Sequence, residues 1–385
     1  MRNRISGQVG CALLGLAPFM VMWPAQAQSF AVMYEFTGSD GAVPFGNLLL
    51  NAGVFYGTTS GGGANNAGTV FQFDISTEVE TVLHSFAGGP SDGADPIAGL
   101  VRDSSGNLYG VTYGGGASFF GTIFEIPEAG GYTLLHSFAG PPGDGAGPSG
   151  TLVLGSGILY GTTYSGGSGN GSGTAYKFEL TGNVYTTLRN FPPGGTYPRA
   201  GLASEGGHLY GTAYYGGLGS SGGTVFELSP PAPLYEFTGG ADGGRPMANL
   251  IGDGLGNVYG TASEGGSGSF GEGNGVVFEL NVNTLVQTVL YTFTGLAGTC
   301  PAGPLLRDSS GNLYGTTMSG GALGHGTVFK LDTSGNLTPL HDFPGGPNGG
   351  NPVAGLTMDT DGNLWGVTTA GGFGYGIIFE ITPGS

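Results

Sequence analysis

Positively charged residues are scarce in this chain. Among its 385 residues, nine are lysine or arginine and 26 are aspartate or glutamate, which gives a formal net charge of −17. A strongly acidic surface repels the phosphate groups of nucleic acids and of anionic membranes. The composition therefore excludes nucleic acid as an expected partner.

Cysteine is also scarce, with Cys11 and Cys300 as the two residues of this type. Cys11 lies in the N-terminal apolar segment described next, so Cys300 is the one thiol in the rest of the chain. A single thiol cannot form an intramolecular disulfide, and the fold must be stabilised by packing. Pairing of Cys300 between two chains is possible in an oxidising compartment, but burial in a loop is the interpretation that we prefer.

Long apolar segments are rare as well. The longest covers roughly residues 11–23, which is too short and too interrupted by proline to favour a membrane span. It follows a basic start and precedes Ala25-Gln26-Ala27, small residues of the type that a signal peptidase requires. The pattern predicts a signal peptide over residues 1–27, removed on export, and a single domain over residues 28–385 without a membrane span. Two of the nine basic residues lie in the removed segment, so the exported chain is more acidic still.

Glycine and proline, by contrast, are abundant, with 85 and 23 residues. Such a composition indicates disorder when it has no period. Here a hydrophobic residue, an aromatic ring and a glycine recur seven times, about 50 residues apart. A disordered chain has no reason to keep rings at fixed intervals, so the period indicates a folded repeat protein. The seven rings are Tyr56, Tyr109, Tyr160, Tyr210, Tyr259, Tyr314 and Trp365.

Each repeat contains four short segments with the composition of β-strands. In the second repeat they cover residues 96–101, 108–112, 121–126 and 132–138, and turn residues separate them. No helical period is present. Four antiparallel strands per repeat, arranged radially, form one blade of a β-propeller. Seven repeats therefore predict an all-β, seven-bladed propeller of four-stranded antiparallel blades.

The two ends of the repeat array are complementary. The chain opens with a segment of the fourth-strand type, residues 30–36, and it stops after a third strand at residues 376–381. Pairing these two segments would complete the last blade and leave no open edge strand. An open solenoid of seven repeats is the alternative, but it would need capping repeats. We predict a ring closed by the N-terminal strand.

Phenylalanine and tyrosine recur at two further positions of the repeat, near the start of the third strand and at the end of the fourth. We expect these rings to pack between blades, and we expect the recurring glycine to leave room for a ring from the adjacent sheet. The third-strand rings are Phe71, Phe124, Tyr176, Phe226, Phe278, Phe329 and Phe379. The fourth-strand rings are Phe36, Phe86, Phe138, Phe191, Phe237, Phe293 and Phe343.

The repeat phrase resembles a known family. Asn107-Leu108-Tyr109-Gly110, followed by Gly121-Thr122-Ile123-Phe124-Glu125 and Leu135-His136-Ser137-Phe138, is similar to the GloVer tandem repeat. That repeat is found in exported proteins of bacteria such as Gloeobacter and Verrucomicrobia, so the resemblance implies a secreted or cell-surface protein. Such "choice of anchor" proteins end in differing surface-sorting segments, whereas this chain stops at Thr382-Pro383-Gly384-Ser385 without an apolar tail. We expect simple secretion or a truncated sequence. The resemblance implies no activity and carries over no catalytic residue.

Two kinds of loop are expected on one face of the propeller. They are the loops between second and third strands and the loops that lead from one blade to the next. Rings in these loops lie outside the recurring core positions, which favours a surface that binds carbohydrate or an extracellular protein. Mutual packing of the rings over a glycine-rich rim is the alternative. The candidate rings are Tyr113, Phe119, Phe120, Tyr164, Tyr214, Tyr215, Phe270, Phe373 and Tyr375.

Two arginines interrupt the repeat at equivalent positions. Arg199 follows Pro198 and Arg245 precedes Pro246, at the start of the inner strands of neighbouring blades. Both are therefore expected near the mouth of the central channel. Two guanidinium groups there would hold a carboxylate, such as that of a uronic acid. The alternative is that they form ion pairs with local acids such as Asp242.

Metal sites are not indicated by the sequence. Hard cations bind several carboxylates, but an aspartate before glycine in a recurring loop is more typical of a turn. Three histidines share one repeat position on different blades, so they cannot meet at one zinc ion. We predict neither a metal nor a cofactor. The recurring aspartates are Asp40, Asp92, Asp144 and Asp242, and the histidines are His84, His136 and His341.

Catalysis is a second class of function that the sequence leaves open. A polysaccharide lyase would use Arg199 and Arg245 to neutralise charge and a base such as Tyr197. A hydrolase would need two neighbouring carboxylates, for which Asp95 and Glu205 are candidates because they interrupt the repeat. A structural role in an envelope or matrix is a third possibility. We favour a monomeric binding module for polysaccharide or an extracellular protein.

Overall fold

The chain folds as a ring of seven antiparallel sheets. A computed structural model describes residues 28–168, 171–191, 197–217, 222–229, 232–266 and 273–382. Within these ranges the regular elements are β-strands and one short 3-10 turn, Gly346–Asn348. Each sheet contains four main strands from the channel axis outward, and they follow sequence order in blades 1 to 6. The architecture is the predicted seven-bladed β-propeller. The predicted signal peptide and Phe270 lie outside the described residues.

The blades are numbered from the N-terminal end, beginning at residue 42. The inner strands of blades 1 to 7 are Leu49–Asn51, Val101–Arg102, Val153–Gly155, Leu202–Glu205, Ile251–Gly252, Leu306–Arg307 and Thr357–Met358. The second strands are Val54–Gly61, Leu108–Thr112, Ile158–Gly166, His208–Ala213, Asn257–Glu264, Leu313–Thr317 and Leu364–Thr368.

The third strands are Thr69–Asp74, Thr122–Ile126, Thr174–Glu179, Thr224–Glu227, Val276–Asn281, Thr327–Leu331 and Ile377–Thr382. The outer strands of blades 1 to 6 are Val79–Ser85, Thr133–Ser137, Val184–Asn190, Ala232–Glu236, Val286–Thr292 and Leu337–Asp342. Short segments that precede four inner strands are Ala42–Pro44, Gly93–Ala94, which pairs with Gly114–Gly115, Gly145–Pro148 and Gly244–Pro246.

Blade 7 closes the ring, as the complementary ends of the repeat array predicted. Its outer strand is the N-terminal Ser29–Glu35, which pairs antiparallel with Ile377–Thr382. The register includes a β-bulge between Val32 and Tyr34, and an irregularity recurs at this place in the other six blades. The N-terminal strand therefore fits the sheet as the other outer strands do, and it protects what would be an open edge.

The recurring rings pack in the seams between blades. The outer-strand ring of each blade contacts the third-strand ring of the next blade edge to face, with centroids 4.9–5.3 Å apart. Phe138 against Tyr176 is one example, and both side chains are fully buried. This T-shaped arrangement is favoured by the quadrupole of the rings. The prediction of packing between blades is confirmed in all seven seams.

The recurring glycine, however, makes room for a ring of its own sheet. A Cβ atom added to Gly110 would lie 2.5 Å from the ring of Phe124, and one added to Gly57 would lie 2.4 Å from Phe71. Each pair is directly opposite in neighbouring strands of one blade. The expectation of a ring from the adjacent sheet was wrong, because the ring beside the glycine comes from the third strand of the same blade.

Among the described residues, no helix is long and apolar enough to cross a bilayer.

Candidate functional site

The centre of the propeller holds a cavity that all seven blades line. Each blade contributes a segment that runs from a buried proline to a buried leucine, such as residues 44–48 in blade 1. The residue after each proline forms an upper ring around the axis, and the residue two positions later forms a lower ring. Together with side chains from the second-strand ends, these rings enclose about 370 Å³. The upper ring is Phe45, Ile97, Ser149, Arg199, Met247, Ala302 and Val353, and the lower ring is Asn47, Gly99, Thr151, Gly201, Asn249, Pro304 and Gly355.

The cavity opens on the face that carries the two predicted kinds of loop. Hydrogen bonds join them, as between the Gly63 amide and the Gly38 carbonyl at 2.8 Å. In blade 2 the Gly116 amide donates to the carbonyl of Asp92 at 2.8 Å. The loops between second and third strands and the loops between blades therefore form one continuous rim. We call the opening inside this rim the channel mouth.

Hydrogen bonds join three pairs of adjacent blades at the lower ring. The amides of Gly99, Gly201 and Gly355 each donate to a polar side chain of a neighbouring blade. Because the number of blades is odd, one blade is left without a partner, and this is blade 6. Its residue in the lower ring is Pro304, which has no N–H group that needs an acceptor. The lower-ring residues at the floor of the cavity are therefore held by specific hydrogen bonds between neighbouring blades. The three bonds are Gly99 N to Thr151 Oγ1 at 3.1 Å, Gly201 N to Asn249 Oδ1 at 2.7 Å and Gly355 N to Asn47 Oδ1 at 2.7 Å.

Arg199 is the single charged residue of the upper ring. Its guanidinium carbon lies 5.3 Å from the ring centre of Tyr164 and 4.4 Å from that of Tyr214. Both distances are within the range of cation–π attraction. Tyr164 lies near the end of the second strand of blade 3, and Tyr214 directly follows the second strand of blade 4. The arginine of blade 4 therefore lies between aromatic groups of two blades.

The tyrosines occupy one side of the mouth. The third residue after the recurring glycine is tyrosine in blades 2, 3 and 4, and it is a smaller or aliphatic residue in the other blades. Tyr113 and Tyr164 line the cavity, and Met318 lines it from the opposite side. Tyrosines and Arg199 are therefore concentrated on blades 2 to 4, and Phe45 of blade 1 adds a further ring to the lining. The seven residues are Ser60, Tyr113, Tyr164, Tyr214, Ser263, Met318 and Thr369.

Arg245 forms an ion pair with a glutamate of its own blade. Its Nη1 atom lies 2.5 Å from Oε1 of Glu264, and its guanidinium carbon also approaches the rings of Tyr214 and Tyr215 at 5.6 and 5.4 Å. The alternative of a local ion pair is therefore correct for Arg245. The acid is Glu264 rather than Asp242, whose carboxylate accepts hydrogen bonds from the Tyr235 hydroxyl and the Thr238 amide.

The other predicted rings are distributed around the rim. Phe120 and Tyr375 lie over glycines of the interblade loops, because a Cβ atom at Gly140 would be 2.6 Å from the ring of Phe120 and one at Gly38 would be 3.0 Å from that of Tyr375. These two rings match the packing alternative. Tyr215 contacts Tyr214 with ring centroids 4.6 Å apart. Phe119 and Phe373 are more open, with 62% and 70% of their surface exposed.

A further ring of variable residues surrounds the mouth just before the prolines. Its backbone is left-handed, and six of the seven positions carry a residue other than glycine, with φ of 40–56°. In each blade its amide donates to a loop carbonyl of the preceding blade, as from Asn351 to His325 at 2.8 Å. Non-glycine residues adopt this conformation at an energetic cost, so the interblade bond holds them there. The seven residues are Val43, Asp95, Gly147, Tyr197, Arg245, Cys300 and Asn351.

The candidate hydrolase carboxylates lie apart. Asp95 is exposed at the mouth, whereas Glu205 ends its inner strand on the far side of the propeller. Glu205 is 4% exposed, and its two oxygens accept the amides of Gly254 and Gly256 at 2.8 Å each. It therefore holds a hairpin of blade 5. The proposal of these two residues as a catalytic pair was wrong.

The recurring aspartates act as turn residues. Asp92 accepts hydrogen bonds from the amides of Ala87 and Gly93 at 2.8 and 2.7 Å, and from His84 Nε2. Burial alone would raise the pKa of Asp92, but these bonds lower it below its usual value. The structure places no group of three or more metal-ligating side chains together within the described ranges.

Sequence reasoning missed most of the cavity lining. Phe45, Ile97, Ser149 and Met247 line the mouth, and none of them was a candidate. The sequence did contain an indication of these residues. The residue directly after the recurring proline differs in every repeat, whereas the leucine four positions after that proline is constant. A position that varies inside a strict repeat is free of the demands of folding.

Solved structures of low sequence identity share the fold. The extracellular domain assigned to a hybrid two component system of B. thetaiotaomicron has a TM-score of 0.59 at 13% identity, over 92% of this chain and 39% of that one. A puromycin-hydrolyzing peptidase of Mycobacterium tuberculosis has a TM-score of 0.57 at 12% identity, over 90% of this chain and 52% of that one. The computationally designed Ika8 protein has a TM-score of 0.50 at 13% identity, over 90% of this chain and 98% of that one. This chain thus spans about two fifths of the first structure and half of the second, and the similarity concerns the fold alone.

Sequence comparison identifies the repeat itself. No curated protein sequence matches the chain. A family model for the Gloeobacter/Verrucomicrobia repeat matches residues 19–170, 135–306 and 267–385, which together cover nearly the whole sequence. The chain belongs to the Gloeobacter/Verrucomicrobia repeat family.

Proposed function

We propose that this protein is an extracellular or cell-surface binding module that takes part of a carbohydrate into its channel mouth. The observation that carries the proposal is the cavity of about 370 Å³, whose lining side chains differ from blade to blade. Its volume lies within the range of small-molecule sites, about 300–1,000 Å³. A fold made of seven similar repeats needs no such variation, so the lining is free to serve a ligand.

The chemistry of the lining suits a sugar. Tyr113 and Tyr164 offer rings whose faces pack against the apolar side of a pyranose. Asn249 of the lower ring accepts the Gly201 amide with its Oδ1, and its NH₂ group would be a donor for a ligand. A few placed polar groups among apolar ones are typical of ligand sites.

Export is part of the proposal. The basic, apolar and small-residue segments at residues 1–27 have the order of a signal peptide, and family membership agrees with an exported bacterial protein. We expect a monomer, secreted or held at the cell surface. The exposed rings Phe119 and Phe373 offer a second surface, on which an extracellular protein would be the partner.

Binding is favoured over catalysis by the arrangement of acids. A hydrolase would need two carboxylates within about 5–10 Å at the site. Among the residues that the structure describes, those that line the cavity include no aspartate or glutamate. A lyase would need Arg199 and a base, and Tyr197 lies near Tyr164 with ring centroids 5.2 Å apart. We therefore treat elimination as an outcome to be measured rather than as the proposed activity.

A glycan array with the purified exported chain tests the proposal. Tyr164→Ala removes a ring of the mouth, and Phe373→Ala is the matched control because it removes a ring of the outer rim. We expect a reproducible glycan signal that is lost in Tyr164→Ala and kept in Phe373→Ala. The reverse pattern would move the site to the rim, and a blank array would reject carbohydrate as the ligand class. Ultraviolet absorbance of an unsaturated product, formed from a bound glycan, would identify a lyase.

A further inference from the structure

We infer that the ligand of the channel mouth carries a carboxylate and that Arg199 binds it. The inference rests on the proposed function and deepens it, because it selects acidic sugars, such as uronic acids, over neutral ones. Arg245 has no part in this recognition.

Arg199 has no ion-pair partner among the described residues. Arg102, Lys177 and Arg245 each form an ion pair with a glutamate, at nitrogen–oxygen distances of 3.4, 2.6 and 2.5 Å. Within the described parts of the chain, no carboxylate lies within 4 Å of the Arg199 nitrogens. Among the described residues, those that line the cavity include no acid, and Asp95 lies exposed at the mouth outside this lining. A cation in a half-enclosed site of low dielectric attracts an anion strongly.

Two tyrosine rings lie beside the guanidinium group of Arg199. Their centres are 5.3 and 4.4 Å from the guanidinium carbon. The N–H donors of a guanidinium group lie in its plane. These donors form a fork that matches the two oxygens of a carboxylate. The arrangement is thus suited to a bidentate carboxylate with a sugar ring against the neighbouring tyrosines.

The backbone at Arg199 is fixed to the preceding blade. Its carbonyl accepts a hydrogen bond from Ser149 Oγ at 2.9 Å, and the next carbonyl, of Ala200, accepts one from Thr162 Oγ1 at 2.6 Å. Pro198 and Ala200 on either side are buried. The guanidinium group therefore projects from a rigid element, which lowers the entropic cost of binding.

The overall charge limits the kind of anion. The surface is strongly acidic, and a dense polyanion would be repelled before it reached the mouth. One arginine in a cavity of about 370 Å³ is matched by one carboxylate on a sugar or a short chain end. The acidic surface and the single arginine therefore favour a terminal acidic sugar as the ligand.

Calorimetry with matched sugars tests the inference. The probes are glucuronic acid with glucose, and galacturonic acid with galactose, titrated into the exported chain. We expect at least one acid to bind about tenfold or more tightly than its neutral partner, the scale of a charge-assisted hydrogen bond. Arg199→Gln should abolish this ratio, Arg199→Lys should retain part of it, and Arg245→Gln should leave it unchanged. The melting temperature of each variant verifies that it folds.

The outcomes separate this inference from the proposed function. Equal binding of acid and neutral sugars, or a ratio that survives Arg199→Gln, would overturn the carboxylate inference and leave a sugar site in place. Citrate and acetate are titrated as two further probes. If they bind through Arg199 while no sugar binds, the carboxylate inference stands and the carbohydrate proposal fails. If no probe binds, both are rejected.

Discussion

The interblade seams and the channel mouth have equally regular backbones, but they differ in their side chains. In every seam, a phenylalanine of one blade meets a ring of the next at 4.9–5.3 Å. In the mouth, the residue after the recurring proline is different in all seven blades. The fold therefore depends on the seams, and the variation in the mouth is available for ligand recognition.

The largest effect is expected in a seam. Phe138→Ala would leave a cavity against Tyr176 in a fully buried site and should lower the free energy of unfolding by about 3–5 kcal/mol. Met247→Ala in the upper ring is the control, because its side chain borders open space and should cost less than about 1 kcal/mol. Urea denaturation of both variants measures the difference. Similar losses in the two would contradict the division between seam and mouth.

The floor of the mouth should show an intermediate effect. Asn249→Ala removes the acceptor of the Gly201 amide, and an unsatisfied donor at this depth costs about 1–3 kcal/mol. Ser149→Ala is a suitable comparison, since the hydroxyl that it removes is a donor to the Arg199 carbonyl at the more open upper ring. Denaturation curves should show a smaller loss for Ser149→Ala. An unchanged stability in Asn249→Ala would mean that water replaces the lost bond.

The seam between blades 6 and 7 should respond to acid. Burial lowers the pKa of His341, which stacks on Phe30 of the closing strand, to about 4, while Asp342 opposes this shift. The unfolded chain takes up a proton near pH 6.5, so the native state should lose stability as the pH falls from 6.5 towards 4. Allowing for screening, we expect a loss of about 1–2 kcal/mol. Denaturation midpoints between pH 7 and pH 4 measure it, and His341→Phe should remove this part of the pH dependence.

The other seam of blade 7 should respond in the opposite direction. Burial and the charge of Asp40 raise the pKa of Glu80 to about 7, although a hydrogen bond from Tyr34 lowers it. The folded state keeps its proton above pH 4.5, so stability should fall as the pH rises from 4.5 to 7. Glu80→Gln should therefore stabilise the protein at pH 8 by roughly 1 kcal/mol after screening and have little effect at pH 4. A stabilisation of the same size at both pH values would show that charge is not the cause.

The smallest effect on stability is expected at Arg199. Its guanidinium group has no carboxylate partner among the described residues, so Arg199→Gln should change the free energy of unfolding by less than about 0.5 kcal/mol. Arg245→Gln should cost more, because it leaves the Glu264 carboxylate without its arginine. Denaturation curves of the two variants show which of them loses more stability. A larger loss for Arg199→Gln would indicate a structural role for this residue.

The sequence predicts the fold in detail because the seams are repetitive. Seven copies of a tyrosine or tryptophan followed by glycine define the number of blades, and the complementary ends predict closure by residues 29–35. The direction of one contact was wrong, since Gly110 makes room for Phe124 of the same blade. Strand composition indicates where rings recur, but not on which side of the sheet a ring lies.

The mouth is predictable in position and much less so in contacts. The proline-flanking places of Arg199 and Arg245 indicated the channel, but the partner of Arg245 depends on the geometry of the loop that bears Glu264. Ion pairs between loops are determined by a few ångströms of backbone placement, which no periodicity records. The hydrogen bonds that the side chains of Asn47, Thr151 and Asn249 accept on the cavity floor could not be predicted from the sequence for the same reason.

The most direct test of the central claim uses Tyr164→Ala in two measurements on one protein sample, thermal unfolding and glycan binding. Tyr164 belongs to the mouth and lies outside the interblade seams. We predict a melting temperature within a few degrees of that of the unmodified chain, together with loss of the glycan signal. A melting temperature lowered as far as that of Phe138→Ala, or glycan binding that is kept, would contradict the assignment of stability to the seams and recognition to the mouth.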